Sequence, residues 1–272
     1  MIQTRYQGTL GENLFQYCLA RRLAEAWGHQ LNARPIWGFP NTAPRIAGKS
    51  YFSPVVQWSG IDLRSLATGE PIPTGQLNSP VECHLILDGW FQSFSYLQDR
   101  ADEIRDEWLL PDTDLARRPS NEVAISLRLG ATTRWRQDRL RHANWEAPPA
   151  YPTLDEAGLV RLLESLRGAR LHVVTDRPRD KLVSFLRRRG AVVHAEGDWE
   201  NFRLLRSFHR IAVGHTAYDW WAAFLSRAGT VIPIWGGEEP SEQRRRFLEH
   251  GPACVEVPGK RYLLDETACP AA

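Results

Sequence analysis

Phe202 to Gly237 reads FRLLRSFHRIAVGHTAYDWWAAFLSRAGTVIPIWGG. Phe202, Leu204, Leu205 and Phe208 recur at helical spacing, with Arg203, Arg206 and Arg210 between them. Ile211 to Gly214 is a short apolar run ending at glycine, the pattern of a strand buried in a parallel sheet. His215 and Thr216 form a turn, Tyr218 to Arg227 a helix that Gly229 closes, and Thr230 to Trp235 the next strand. Thr216 suits the N-cap because its hydroxyl can accept a free backbone N–H of the first turn. Trp220 and Trp221 read as packing residues, since one face of this helix must bury itself on the sheet. In a parallel α/β sheet, a strand end that feeds a helix N-terminus lies at the ligand-binding edge, and the helix dipole there favours an anion. A diphosphate fits at His215–Thr216; an ordinary βα turn with a capping threonine fits the same residues.

The 272 residues allow one large domain or two of ordinary size. A hydrophobic share of 43% with 24% charged residues can bury a core while staying soluble. With 34 basic and 32 acidic side chains the net charge is +2, which supplies no global field for nucleic acid. Basic runs at Arg187–Arg189 and Arg244–Arg246, and the set Arg134, Arg136, Arg139 and Arg141, read as solvated surface; the alternative is a seat for acidic ligands or membrane phosphates. Cys18, Cys83, Cys254 and Cys269 lie far apart, without a CxxC pair or zinc-like histidine spacing, so a reduced, cytoplasmic protein without a metal is expected. No apolar run reaches the ~20 residues of a membrane span, which leaves peripheral contact at most.

Toward the N-terminus, Met1 to Tyr6 can form a first strand. Gly8 and Gly11 make a tight turn, and Leu14, Phe15, Cys18, Leu19, Leu23 and Ala26 carry a helix that Gly28 ends. Residues 29–86 are rich in Trp, Pro and Gly and yield no element beyond a strand at Leu85–Leu87, which Asp88-Gly89 ends. Trp90, Phe91 and Tyr96 fit either a cleft lining or the core. The polar, proline-bounded stretch 109–121 is the expected boundary between domains of residues 1–118 and 119–272. Beyond it come a strand at Val123–Leu127, a basic and aromatic loop at 131–150, and a helix at Leu154–Leu166. A strand at Leu171–Val174, a helix at Lys181–Arg189 and a strand at Ala191–His194 follow. That alternation predicts an α/β fold with a doubly wound parallel sheet in the second domain. The tail from Glu249 is expected to be partly irregular and to return toward the first domain.

Several segments carry a resemblance. GTLGENLFQYCLARRLAEAWG (8–28), LDGWFQSFSYLQDRADEIRDEW (87–108), VAISLRLG (123–130), LHVVTD (171–176) and HTAYDWWAAFL (215–225) resemble, in the same order, five segments of the bacterial α-1,2-fucosyltransferases. The likeness begins at the first residues, from which a complete chain is expected. It implies a GT-B-like architecture of two facing Rossmann-like domains, acceptor side first and nucleotide-sugar side second. It implies an inverting, metal-independent transfer from a nucleotide sugar such as GDP-fucose to a glycan or glycoside acceptor, without a covalent enzyme intermediate.

The resemblance also nominates residues. Arg128 matches the first arginine of the family's H-x-R-R-G-D motif and is implied to contact the donor diphosphate, a role a planar, permanently charged guanidinium suits. A salt bridge is the competing role. Thr175 and Asp176 stand at a strand end where the family's Ser-Asp accepts from ribose or guanine, or else start a turn. His215 and Thr216 stand beside the implied phosphates, and Gly8 and Gly11 complete the donor-binding set. Glu12 is a candidate general base, against the simpler role of a helix-dipole partner. The departures fall at the donor site: Ser126 replaces the motif histidine, Leu129 its second arginine, Ala131 its aspartate and Asp219 the serine before the paired tryptophans. Two alternatives therefore stand beside a GDP-sugar transferase. One is a transferase using a different nucleotide-linked donor; the other is a non-catalytic module that binds a nucleotide or glycan.

Overall fold

The computed structural model describes residues 1–43, 46–58, 82–89, 91, 94–112, 115–130, 156–214, 216–226, 228–234 and 261–262. They form two compact units, Met1–Thr113 and Asp114–Ala272.

In the first unit, β1 (Ile2–Thr4) leads through a glycine turn into α1 (Leu10–Trp27). Thr9 and Glu12 form a capping box at its start, which satisfies N–H groups that the helix itself leaves unpaired. Gly28 ends it at φ +63°, a left-handed conformation that glycine adopts without a Cβ clash. Leu14, Phe15, Cys18, Leu19 and Leu23 are buried, as the helical spacing predicted, whereas Ala26 in the last turn is exposed. β2 (Leu31–Asn32), β3 (Val55–Trp58) and β4 (His84–Leu87) complete an all-parallel sheet of order β2-β1-β4-β3. Two of these strands, β2 and β3, lie in the stretch that the sequence left without elements. Short helical turns follow from Phe94 to Glu103 and pass into a π-helical turn at Ile104–Trp108.

The second unit runs β5 (Glu122–Leu127), α2 (Glu156–Ser165), β6 (Arg170–Thr175), α3 (Lys181–Arg187), β7 (Val192–His194), α4 (Asp198–Arg206), β8 (Arg210–Val213), α5 (Ala217–Leu225), β9 (Thr230–Pro233) and β10 (Arg261–Tyr262). Its six-stranded sheet has the order β10-β9-β8-β5-β6-β7, and every pairing is parallel. From β5 the chain moves outward through β6 and β7. It then returns to the other side of β5 for β8, β9 and β10. That reversal is the doubly wound arrangement, and in open α/β sheets ligands bind at such a switch point, here the carboxyl ends of β5 and β8. One sheet face, with Val123, Ile125, Leu127, Leu171 and Val173, packs against Leu159, Leu162 and Leu166 of the α2 region and Leu182, Val183 and Leu186 of α3. The opposite face carries Ser126, which bonds α5, and His172, whose ring lies 5.1 Å from that of Phe208 just past α4. The fold is α/β.

α5 is buried along its whole length. Trp220, Trp221 and Phe224 form an aromatic cluster with centroids 5.0–5.5 Å apart, the packing role expected of the tryptophans. One expectation is corrected here. The helix stops at Leu225 and its C-cap is Ser226, not Gly229, because the Ser226 hydroxyl donates to the Ala223 carbonyl at 2.7 Å and accepts the Ala228 N–H at 3.2 Å. In the tail, Arg261–Tyr262 extends the second unit's sheet beside β9, and the rest of the stretch from Glu249 lies outside the described residues. The basic loop 131–150, Trp90, Trp235 and the Arg244–Arg246 run lie outside the described residues.

Candidate functional site at the carboxyl edge of the second sheet

β5 ends in Ser126 and Leu127, and Arg128 follows directly at the carboxyl edge of the sheet. The Arg128 side chain is only 6% exposed, and its Nη1 donates to Asp198 Oδ1 at 2.8 Å. Asp198 is the first residue of α4, so the ion pair ties the end of β5 to a helix start. The guanidinium lies 4.4 Å from the ring centroid of Tyr218, within cation–π range. The Tyr218 hydroxyl donates to the Asp198 carbonyl at 2.8 Å, which fixes ring and guanidinium on the same support. Arg128 Nε is buried and finds no hydrogen-bond partner among the described residues. A buried cationic N–H left unpaired costs free energy, so a site that supplies an acceptor to it gains correspondingly.

Thr216 caps α5: its hydroxyl accepts the Asp219 N–H at 3.1 Å and donates to Asp219 Oδ2 at 2.8 Å. The other carboxyl oxygen of Asp219 accepts from the Ser126 hydroxyl. Asp219 is completely buried, and that burial pushes its carboxyl above the ordinary aspartate value. The hydrogen bonds from Ser126 and Thr216 and the charge of Arg128 oppose the rise without cancelling it. The two departures at positions 126 and 219 are therefore one joined unit: a short hydroxyl leaves room for a carboxyl, and the carboxyl fills it.

Thr175 and Asp176 end β6 beside this cluster. The Thr175 hydroxyl donates to the Leu127 carbonyl at 2.8 Å and accepts the Arg177 N–H at 3.0 Å, so it stitches the ends of β5 and β6 together. Both Asp176 oxygens face the Gly130 N–H, at 3.0 and 3.2 Å. A Cβ at Gly130 would fall on the Asp176 carboxylate and displace it from the Gly130 N–H. Arg128, Thr175, Asp176 and Thr216 thus share one edge of one sheet, while His215 lies outside the described residues. Asp198 and Tyr218 complete the setting of Arg128, and sequence reading missed both. Asp198 begins a helix 70 positions from its partner, and Tyr218 was subsumed in an apolar helix; no local pattern joins either to Arg128.

Gly8, Gly11 and Glu12 occupy the corresponding edge of the first unit's sheet. Gly8 sits at φ +79°, and a Cβ there would lie 2.9 Å from Glu12 Cγ. The Glu12 carboxylate accepts the Thr9 N–H at 2.8 Å and the Thr9 hydroxyl at 2.6 Å, so it caps α1. Buried Gln16 accepts the Gln7 N–H at 3.0 Å and donates back to the Gln7 carbonyl at 3.1 Å, which pins the turn to the helix. Asp88, just past β4, receives Gln7 Nε2 at 2.5 Å, Gln57 Nε2 at 3.0 Å and Arg5 Nη1 at 3.2 Å. This network was also missed, because its members come from three strand ends. Among the described residues no group of three or more His, Cys, Asp or Glu could hold a metal ion, and no helix is long and apolar enough to cross a membrane.

The fold and site define a two-unit α/β protein with a polar, arginine-centred cluster at the carboxyl edge of the sheet in its doubly wound unit. No protein-family model matches the chain, and no curated protein matches it. Among solved structures it is similar to an Arabidopsis thaliana FUT1 mutant in complex with GDP, at 8% identity and a TM-score of 0.43, over 89% of this chain and 72% of that one. A likeness of that degree fixes neither a family nor a ligand.

Proposed function

We propose that the chain is a glycosyltransferase of GT-B-like architecture that takes a nucleotide sugar as donor. The donor's diphosphate lies at the carboxyl ends of β5 and β8, against Arg128 and the capped start of α5. The reading extends to an inverting, metal-independent transfer of fucose or a related deoxyhexose from a GDP-linked donor to a glycan or glycoside, in the cytoplasm. The observation that carries it is Arg128: a buried guanidinium at the topological reversal, held by Asp198 and Tyr218, with a buried Nε–H that lacks an acceptor. Positive charge positioned where a diphosphate leaves is what such a transfer needs. The five ordered sequence segments support the same reading.

A second reading is favoured by one observation. Arg128 is already paired with Asp198, and Asp219 already occupies the start of α5. A ligand-binding module without catalysis would tolerate both. Incubation with a panel of nucleotide sugars, with and without oligosaccharide acceptors, separates the readings by release of free nucleoside diphosphate. Release from a GDP-sugar supports the leading reading, and release from a UDP- or CDP-sugar moves the donor class. Binding without release supports the module.

A further inference from the structure

The start of α5 lacks what an anion seat ordinarily offers, a helix N-terminus open to the incoming charge. Asp219 has its carboxyl folded back between the Thr216 and Ser126 hydroxyls, wholly inside the protein. Ser126 from β5 and Thr216 from the start of α5 bond its carboxyl, and Arg128, just past β5, and Tyr218 of α5 act on its charge. Asp198 of α4 and Asp176 past β6 stand on the far side of Arg128. Arg128 is the one cation among these groups, and Asp198 already pairs with it.

We propose that Asp219 makes donor binding proton-linked: its carboxylate competes with the donor's diphosphate for Arg128 and the α5 dipole, and its neutral form releases both. The proposal rests on the donor-site reading above and names the regulation of that same site. Like charges that share one cation in a water-poor site cannot both be stabilised fully, so one of them must be neutralised or leave. Asp219 cannot leave, because Trp220, Trp221 and Phe224 hold its helix in the core. Half-exposed Asp198 can turn toward solvent; for Asp219 itself protonation is the remaining route, and burial already pushes the carboxyl in that direction. Ser126 tunes the balance. Its hydroxyl donates to the carboxylate, so the serine that replaces a histidine in the sequence pattern holds back protonation that burial would otherwise favour.

As pH falls, Asp219 gains a proton, a negative charge disappears beside Arg128, and affinity for a diphosphate rises. A nucleoside-diphosphate sugar is a suitable probe because both phosphates are esterified, which keeps its charge constant from about pH 5 to about pH 8.

The experiment is calorimetric titration with GDP-fucose and with UDP-glucose across that range, on the wild type, Asp219→Asn, Ser126→Ala and Arg128→Ala, each checked by thermal unfolding. The wild type is expected to bind about tenfold more tightly at the acid end, the scale of one partly screened unit charge. Asp219→Asn should bind at the tight level throughout, with a flat profile. Ser126→Ala should retain the profile with its midpoint moved to higher pH, which a purely structural role would not produce. The shape of the wild-type profile also tests the idea without any variant. Binding that Arg128→Ala abolishes but that is equally strong and equally pH-dependent in Asp219→Asn and the wild type overturns the role of Asp219 and leaves the donor site standing. Absence of binding to either probe by the wild type and Asp219→Asn overturns both.

Discussion

Arg128 and Asp198 meet at 2.8 Å between a strand end and a helix start, and the two partners differ sharply in burial: 6% exposure for the arginine side chain, 53% for the aspartate. The pair therefore presents its acid to solvent and keeps its base inside. Water screens the acid, so the pair's contribution to stability is small, while the arginine is held in one place. Asp198→Asn should lower the melting temperature only slightly, by the equivalent of about 1 kcal/mol or less. It should strengthen diphosphate binding if the acid competes for Arg128. Thermal unfolding and calorimetry on one preparation check both; loss of binding in this variant would show that Asp198 is needed to position the guanidinium.

A buried acid with a raised pKa leaves a mark on stability. Asp219 releases its proton less readily folded than unfolded, so its contribution is fully present below the unfolded value and is lost as pH rises through the folded one. Asp219→Asn should remove that loss. The difference in melting temperature between variant and wild type should therefore grow in the variant's favour from acid to neutral pH. Parallel curves would show that the carboxyl stays neutral or that its charge is fully compensated.

The opposite slope is expected from the histidine pair on the sheet face near α4. His172 Nδ1 and His194 Nε2 are 3.0 Å apart, and His172 Nε2 lies 3.4 Å from Glu122 Oε2. Burial lowers both histidine pKa values; Glu122 raises that of His172 and Glu196 that of His194, without reversing the shift. A depressed folded pKa gives stability that is present above the unfolded value, 6.5, and is lost as pH falls through the folded one. Wild-type protein should lose melting temperature below about pH 6.5, and His194→Gln, which keeps a hydrogen-bonding side chain without the charge, should lose less. Equal loss in the two proteins would move the acid sensitivity elsewhere.

Glu12 has two candidate roles, and two substitutions part them. Glutamine still serves a capping box, whereas alanine does not. Glu12→Ala should cost about 1 kcal/mol in urea unfolding, and Glu12→Gln much less. If Glu12 is also the general base, Glu12→Gln should lower turnover while sparing donor binding. Unchanged turnover would leave it as a cap alone. Gly8→Ala should destabilise by roughly 1 kcal/mol or more, because its φ of +79° is strained for alanine and the new Cβ would press on Glu12.

How far the sequence led follows from where the chemistry lay. The elements from Phe202 to Thr230 were legible because apolar residues recur at 3.6 or in short runs, and Thr216 capping α5 could be read from one residue type at one position. β2 escaped because it is only two residues long, and β3 because it is exposed or half-buried along its length and offers no buried apolar run. At the candidate site, the placement of Arg128, Thr175, Asp176 and Thr216 at one sheet edge was legible because each stands at the end of a recognisable strand or the start of a helix. Their actual partners were not. Thr175 bonds a carbonyl 48 positions away, Asp176 a backbone N–H 46 away, and Asp219 a hydroxyl 93 away. Such pairings are set by strand order, and no local spacing encodes the return of β8 to the side of β5.

The most direct test is a structure of the protein with a nucleoside-diphosphate sugar bound. The diphosphate should lie at the carboxyl ends of β5 and β8, with a phosphate oxygen about 2.7–3.2 Å from an Arg128 nitrogen and another at the Thr216 end of α5. A nucleotide bound elsewhere, with Arg128 still enclosed by Asp198 and Tyr218 and touching no ligand atom, would contradict the donor-site assignment.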